Sequence, residues 1–253
     1  MTARANENAF SKVPQVTLLF WILKIFCTTL GETGGDTVTM SMNLGYLVGT
    51  LIFAALFLVF AALQIRAKQF HTWLYWATII ATTTVGTTLA DFADRSLGIG
   101  YAGGSALLLF LLLASLGLWF WTMGSVAVSS VRTPKAEFFY WITILFSQTL
   151  GTALGDWTAD SEGLGYVGGI LIFAGLLAVL LLLHFFTRLP KPLLFWSAFI
   201  LTRPLGAVVG DFLDKPLSQG GLNLSRYSAS GVLLLMIVLL LWRFPQKAAE
   251  EAH

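Results

Sequence analysis

Four aspartates recur at one position of a repeated motif, and carboxylates in this number could bind a cation. The motif reads Trp, nine residues, Gly, four residues, Asp, without a gap in any copy. Oxygen ligands suit hard cations such as Mg²⁺, Mn²⁺ and Ca²⁺. The repeat therefore predicts a metal site formed by the motif aspartates, which are Asp36, Asp91, Asp156 and Asp211.

Further acids and hydroxyls accompany the motif aspartates. Additional carboxylates lie within one helical turn or in the adjoining outer segment, at Glu32, Asp94, Asp160 and Asp214. Threonines precede three of the motif aspartates by seven residues, on the same helix face, at Thr29, Thr84 and Thr149. We expect these oxygens to line an ion pathway. The alternative is a solvated interfacial segment in which the aspartates set the topology and cap the following turn.

Two basic side chains, Lys24 and Arg203, fall inside apolar stretches. A charge at the centre of a bilayer costs roughly 2.5–3.5 kcal/mol even on lenient scales, so both are expected to face the protein interior. One interpretation is a structural salt bridge with a carboxylate. Others are a proton-coupled switch, for which Lys24 is better suited because arginine stays charged, and a counter-charge for a substrate, including an anion.

Small residues stand ten and fourteen positions after each motif tryptophan. Such pairs allow helix backbones to approach closely in a membrane. We expect helix packing at these positions, with exposure of backbone carbonyls along a pathway as the alternative. The glycines concerned are Gly31, Gly35, Gly86, Gly151, Gly155, Gly206 and Gly210.

The composition excludes an ordinary soluble domain. Hydrophobic residues make up 57% of the 253 residues and charged residues 11%, against roughly 45–50% and about 25% in soluble proteins. The net charge is +2 and no dense basic cluster is present, so nucleic acid is not expected as a partner. The lipid bilayer is the expected environment.

Eight apolar runs are long enough for membrane-spanning helices, since a hydrocarbon core of ~30 Å needs about 20 residues. Ten of the 15 Lys and Arg residues lie at the termini or between spans 2 and 3, 4 and 5, or 6 and 7, which predicts that both termini are cytoplasmic. The acids, Glu162 among them, gather on the opposite side. The predicted spans are 14–34, 44–65, 70–90, 101–124, 137–155, 164–187, 192–210 and 228–244.

The motif divides the chain into four two-helix units, near 12–66, 67–130, 131–187 and 188–244. Each unit adds an even number of spans, so all copies point the same way and surround an axis along the membrane normal. The expected fold is a single all-α membrane domain of four parallel repeats. The sequence resembles a bacterial family of uncharacterised membrane proteins built from four such repeats, each with a characteristic tryptophan. The resemblance implies this topology and a bacterial inner membrane location, and it supplies no activity.

The expected function is transport of a small ionic solute, with a hard divalent cation such as Mn²⁺ or Mg²⁺ as the first choice. The alternatives are a non-transporting scaffold or sensor, an ion channel, an anion transporter and an intramembrane enzyme. An enzyme is not favoured, because no Ser/His/Asp or Cys/His set is placed for catalysis and the Gly-Asp pairs lack the preceding glycine of intramembrane aspartyl proteases. The sequence leaves open whether the protein forms a homo-oligomer.

Overall fold

The structure is a computed structural model that describes residues 11–161 and 164–249, and in these residues helices joined by short loops make up nearly all of the regular secondary structure. Glu162 lies outside the described residues. Each predicted helix is present, although α1 begins four residues later than expected and α7 extends four residues further. The helices are α1 (Leu18–Asp36), α2 (Gly45–Arg66), α3 (Thr72–Asp91), α4 (Tyr101–Met123), α5 (Pro134–Asp156), α6 (Gly165–Phe186), α7 (Lys191–Asp214) and α8 (Arg226–Arg243).

The odd-numbered helices form a closed ring. Helix α1 packs on α3, α3 on α5, α5 on α7, and α7 returns to α1. Their buried residues include most of the threonines and acids of the motif region. The motif-bearing helices therefore face one another at the centre of the molecule.

The repeated glycines explain how closely the ring helices approach. Gly31 of α1 lies against Thr83 of α3, and a Cβ on Gly35 would be 3.2 Å from Thr87, one turn further along both helices. Because the contacts advance toward the C-terminal ends of both helices, α1 and α3 run parallel. Equivalent contacts repeat around the ring, joining Gly86 to Gln148, Gly151 to Arg203, Gly155 to Ala207, Gly206 to Thr28 and Gly210 to Glu32. At each of these glycines the neighbouring ring helix comes so close that a side chain would collide with it.

The even-numbered helices lie outside the ring. Each packs on the odd helix of the following repeat, so that α2 contacts α3, α4 contacts α5, α6 contacts α7, and α8 closes onto α1. Large apolar side chains on their outer faces are exposed, for example Leu58, Phe110 and Leu171. Consecutive repeats are therefore interlocked.

Five helices, α2, α4, α6, α7 and α8, are long and apolar enough to cross a membrane. Four of them are the outer helices, whose surfaces are almost entirely apolar. Helices α1, α3 and α5 are of similar length, at 19, 20 and 23 residues, but carry buried threonines and acids toward the ring centre. These findings give the chain the character of a multi-pass membrane protein.

Helical structure continues beyond each motif aspartate. The α-helical part of α1, α3 and α5 ends at the aspartate, but one π-helical turn follows, over Thr37–Ser41, Phe92–Ser96 and Trp157–Ser161. In α7 the α-helix continues to Asp214. The motif carboxylates therefore lie within continuous helical structure, where the backbone carbonyls near them still accept helical hydrogen bonds.

The opposite end of the ring is filled by aromatic side chains. An aromatic residue precedes the motif tryptophan in every repeat, and these four residues are buried: Phe20, Tyr75, Tyr140 and Phe195. The hydroxyls of Tyr75 and Tyr140 are 2.6 Å apart. The described segments before α1 and after α8 cover this aromatic layer, where Pro14 pairs with Ala248 and Lys12 forms an ion pair of 2.5 Å with Glu137.

Candidate functional site

Six buried carboxylates meet at the end of the ring that carries the motif aspartates. We call them the acidic cluster: Glu32, Asp36, Asp91, Asp156, Asp211 and Asp214. Their oxygens form overlapping groups of three, in each of which the atoms lie within 4.8 Å of one another. The groups are Glu32 with Asp156 and Asp211, Glu32 with Asp36 and Asp91, and Asp36 with Asp211 and Asp214. Among the described residues, Glu32 thus links the four motif aspartates.

Three basic side chains partly neutralise the acidic cluster. Arg95 Nε is 2.8 Å from Asp91 Oδ1. Lys215 Nζ is 2.6 Å from Asp36 Oδ2 and 3.0 Å from Asp211 Oδ1. Arg226 Nε is 2.8 Å from Asp214 Oδ2 and 3.7 Å from Asp36 Oδ2. Arg95 follows α3, Lys215 follows α7, and Arg226 begins α8, so all three side chains lie after a ring helix on the same side.

The carboxylates hold these basic groups in their charged forms. Burial alone would lower the pKa of Lys215, but the charges of Asp211, Asp36 and Asp214 raise it well above its usual value. The pKa of Arg95 is likewise raised, because Asp91 and Asp156 outweigh the effect of burial. Lys215 and Arg95 therefore remain cationic at physiological pH and would compete with any bound cation.

Asp156 is the least neutralised member of the acidic cluster. It is 3% exposed, and its nearest basic atom within 4.0 Å in the described chain is Arg95 Nη2, at 3.8 Å from Oδ2. Its Oδ1 is buried without a hydrogen-bond partner among the described residues. A buried carboxylate without a close counter-charge is costly, so it takes up a proton or pairs with a cation. With Glu32 and Asp211 it forms one of the three groups whose oxygens lie close enough together to hold a metal ion.

The other predicted site residues lie around this group. Asp160 is at the rim, where its carboxylate accepts a hydrogen bond of 3.0 Å from the Tyr101 hydroxyl. Asp94 is half-buried beside Gly104. The predicted threonines donate to backbone carbonyls of their own helices, so they offer at most a lone pair to the interior: Thr29 to Ile25, Thr84 to Ile80 and Thr149 to Leu145.

Arg203 closes the ring centre beneath the acidic cluster. Its side chain is fully buried. Nη2 donates to Glu32 Oε2 at 2.9 Å and to the hydroxyls of Thr87 and Thr152, each at 2.5 Å. These three acceptors come from α1, α3 and α5, whereas Arg203 belongs to α7. One side chain therefore ties all four repeats together at the axis, and the structural salt bridge considered for Arg203 is present.

Lys24 has a different environment. It is fully buried, its Nζ is 3.5 Å from Gln148 Oε1, and it lies 4.2 Å from the centroid of the Phe199 ring. In the described part of the chain no carboxylate lies within 4.0 Å of its ammonium group. The expected salt bridge is thus absent for Lys24 among these residues.

Comparison with known protein families identifies four repeats in the sequence. The sequence model of a family described as Repeat of Unknown Function (DUF347) matches four times, over residues 19–70, 74–125, 139–189 and 194–248. The chain belongs to this family. Neither the curated proteins nor the solved structures contain a match. The four DUF347 repeats coincide with the four helix pairs, each of which contributes one helix to the ring, so the predicted resemblance is confirmed.

The DUF347 repeat register also locates residues that the sequence interpretation missed. Thr87 and Thr152 stand eleven positions after their tryptophans, as Glu32 does, and this shared offset was available from the alignment of the repeats. Arg95 and Lys215 follow Asp91 and Asp211 by four residues, which is the spacing of helical ion pairs. The pairing of Arg226 with Asp214 depends on the turn between α7 and α8, and no local spacing indicates it.

Proposed function

We propose that this protein is a multi-pass carrier for a hard divalent cation, with Mn²⁺ or Mg²⁺ as the expected substrate. The single observation that supports it best is the buried group of Glu32, Asp156 and Asp211, whose oxygens lie within 4.8 Å of one another. Oxygens bound at 2.0–2.6 Å on opposite sides of one ion are separated by about 4–5 Å, so this spacing suits a single metal ion.

The proposed topology has eight membrane spans, with both termini in the cytoplasm of a bacterium and the acidic cluster at the outer face of the inner membrane. The repeat supports eight spans, because α7 is apolar enough to cross and α1, α3 and α5 occupy equivalent places in the ring. The basic residues between spans support the orientation.

The charge balance at the outer end favours a cation over an anion there. The acidic cluster together with Asp94 and Asp160 provides eight carboxylates. Only Arg95, Lys215, Arg226 and Arg203 are paired with them among the described residues. An excess of buried negative charge raises the local concentration of cations and slows their loss.

The closed centre supports a carrier rather than an open channel. Arg203 and its three acceptors occupy the axis, and the aromatic layer fills the inner end. The four repeats also present different side chains at the same level, whereas selective filters use rings of equivalent groups. Passage of an ion would require the Arg203 contacts to separate.

A non-transporting scaffold is the second candidate, and the ion pairs of Lys215 and Arg226 are the observation that favours it. Both side chains join the end of α7 and the start of α8 to Asp36 of α1. In a scaffold the acidic cluster would serve only to fasten the repeats to one another.

Uptake of Mn²⁺ into proteoliposomes tests the proposal, with wild type compared with Asp156→Asn. Asp160→Asn is the matched control, because Asp160 lies at the exposed rim outside the three carboxylate groups. We expect Asp156→Asn to lose at least about tenfold of the uptake and Asp160→Asn to retain most of it. Replacing Asp156 alone is preferable to replacing all four motif aspartates, which would leave Lys215 buried without its two closest partners, Asp36 and Asp211.

Two results would contradict the carrier proposal. One is the absence of protein-dependent uptake of Mn²⁺ and Mg²⁺ by folded wild-type protein. The other is equal uptake by wild type and Asp156→Asn. In either case the scaffold becomes the favoured candidate.

A further inference from the structure

The inner side of Arg203 is the part of the ring interior between this residue and the aromatic layer. It has an excess of hydrogen-bond donors and positive charge. Lys24 and Arg203 are both fully buried, and Glu32 is the only carboxylate within 4.0 Å of either in the described chain. Glu32 occupies only Nη2 of the guanidinium. This region is chemically the opposite of the acidic cluster.

Several of its polar atoms have no hydrogen-bond partner among the described residues. These atoms are Arg203 Nε and Nη1, Gln148 Nε2 and the Thr83 hydroxyl, and all belong to fully buried side chains. Thr83, Gln148 and Arg203 share one position of the repeat, seven residues after the tryptophan, and so lie at one level of the ring. Buried N–H groups are nearly always paired. These donors therefore indicate that a hydrogen-bond acceptor other than the described side chains binds at this level.

The contacts of Lys24 place it about one helical turn inward of Arg203. Lys24 touches Phe199, which precedes Arg203 by four residues in α7. It also approaches Gln148, which precedes Thr152, an acceptor of Arg203, by four residues in α5. One turn is about 5.4 Å. Two like charges at this distance in a low-dielectric interior repel each other strongly, and the repulsion is relieved if a negative charge lies near both or if Lys24 gives up its proton.

We propose that a small inorganic monovalent anion of the chloride type binds on the inner side of Arg203, between it and Lys24. Arg203 and Gln148 donate N–H groups to it, and Lys24 supplies the counter-charge. The other repeats carry apolar, fully buried side chains at the repeat position of Lys24, namely Ile79, Ile144 and Phe199. Apolar walls suit a singly charged, weakly hydrated ion better than a phosphate or a sulfate.

This site does not depend on transport of a metal ion. It requires only that the inner donors bind an anion, and it lies across Arg203 from the carboxylates. If both sites exist, the protein holds ions of opposite sign on the two sides of one arginine, and the Arg203–Glu32 pair lies between them.

Direct binding of radiolabelled chloride to the purified full-length protein tests the proposal, at constant ionic strength with gluconate as the replacement. We expect saturable binding by wild type and about tenfold or greater weakening in Lys24→Met. Lys135→Met, at an exposed position of α5, is the matched control and should bind as wild type does. Asp156→Asn should also bind chloride normally, which separates this proposal from the cation proposal.

A second measurement keeps the test decisive if Lys24→Met does not fold. The melting temperature of wild type should rise when chloride, bromide or nitrate replaces gluconate, and Gln148→Leu should show a smaller rise. Unsaturable chloride binding with an unchanged melting temperature would overturn the proposal, and so would equal chloride affinity in wild type and a folded Lys24→Met variant.

Discussion

Breaking the ion pair between Arg203 and Glu32 should destabilise the protein strongly. The two side chains are 0% and 4% exposed and their charged atoms are 2.9 Å apart. Arg203→Met leaves the Glu32 carboxylate buried without its cationic partner, and removal of one member of a buried pair costs about 3–5 kcal/mol. Glu32→Gln leaves Arg203 charged and should cost a similar amount.

The double variant distinguishes a true pair from two independently sensitive positions. With both charges removed, neither is left uncompensated, so the loss of stability should fall short of the sum of the single losses by about 2 kcal/mol or more, toward the upper part of the usual range for residues in contact. Thr87→Val removes one neutral acceptor of Arg203 and serves as a control that should cost about 1 kcal/mol.

Equilibrium unfolding in mixed detergent micelles, followed by tryptophan fluorescence, measures these free energies. The nine tryptophans of the chain provide the signal. Single losses that add to within about 0.5 kcal/mol of the double variant would refute the reasoning, because residues that interact do not show such additivity.

Three further predictions concern packing, competition and the inner end of the ring. Gly86→Ala should lower the free energy of unfolding by about 1–3 kcal/mol, because its Cβ would lie 3.0 Å from the backbone of α5. Gly117→Ala, with open space around it, should be neutral or slightly stabilising. Equal melting temperatures of these two variants would contradict the close approach of α3 and α5. Lys215→Met should bind Mn²⁺ at least about tenfold more tightly than wild type, because it frees Asp36 and Asp211 from their ammonium partner. For the same reason the variant should unfold at a lower temperature without metal. A calorimetric titration that shows unchanged Mn²⁺ affinity would refute competition between Lys215 and the metal ion. Lys12→Met should speed proteolysis of the segment before α1, because it breaks the 2.5 Å ion pair to Glu137. Cleavage at the wild-type rate would show that this ion pair does not hold the segment in place.

The helix number and the parallel repeat could be predicted because membrane-spanning helices and repeats leave long-range periodic signals in a sequence. The glycine contacts followed from the same periodicity, since residues ten and fourteen positions after the tryptophan fall on one helix face. The aromatic layer could have been predicted in the same way, from the aromatic residue that precedes each motif tryptophan.

The partners of the acids and of Arg203 could not be derived with the same certainty. Which helices become neighbours in the ring depends on packing between repeats, and the pairing of Arg203 with Glu32 joins residues 171 positions apart. The π-helical turns after Asp36, Asp91 and Asp156 also have no local sequence signal comparable to a proline or a glycine. These turns place the carboxylates inside the helical structure rather than at its end.

The most direct test of the central proposal is Mn²⁺ binding to the purified protein, measured by loss of the free-ion signal in electron paramagnetic resonance. We predict one saturable site per chain in wild type and in Asp160→Asn, and at least about tenfold weaker binding in Asp156→Asn. Saturable binding that is unchanged in Asp156→Asn, or no saturable binding by folded wild-type protein, would contradict a cation site at Glu32, Asp156 and Asp211.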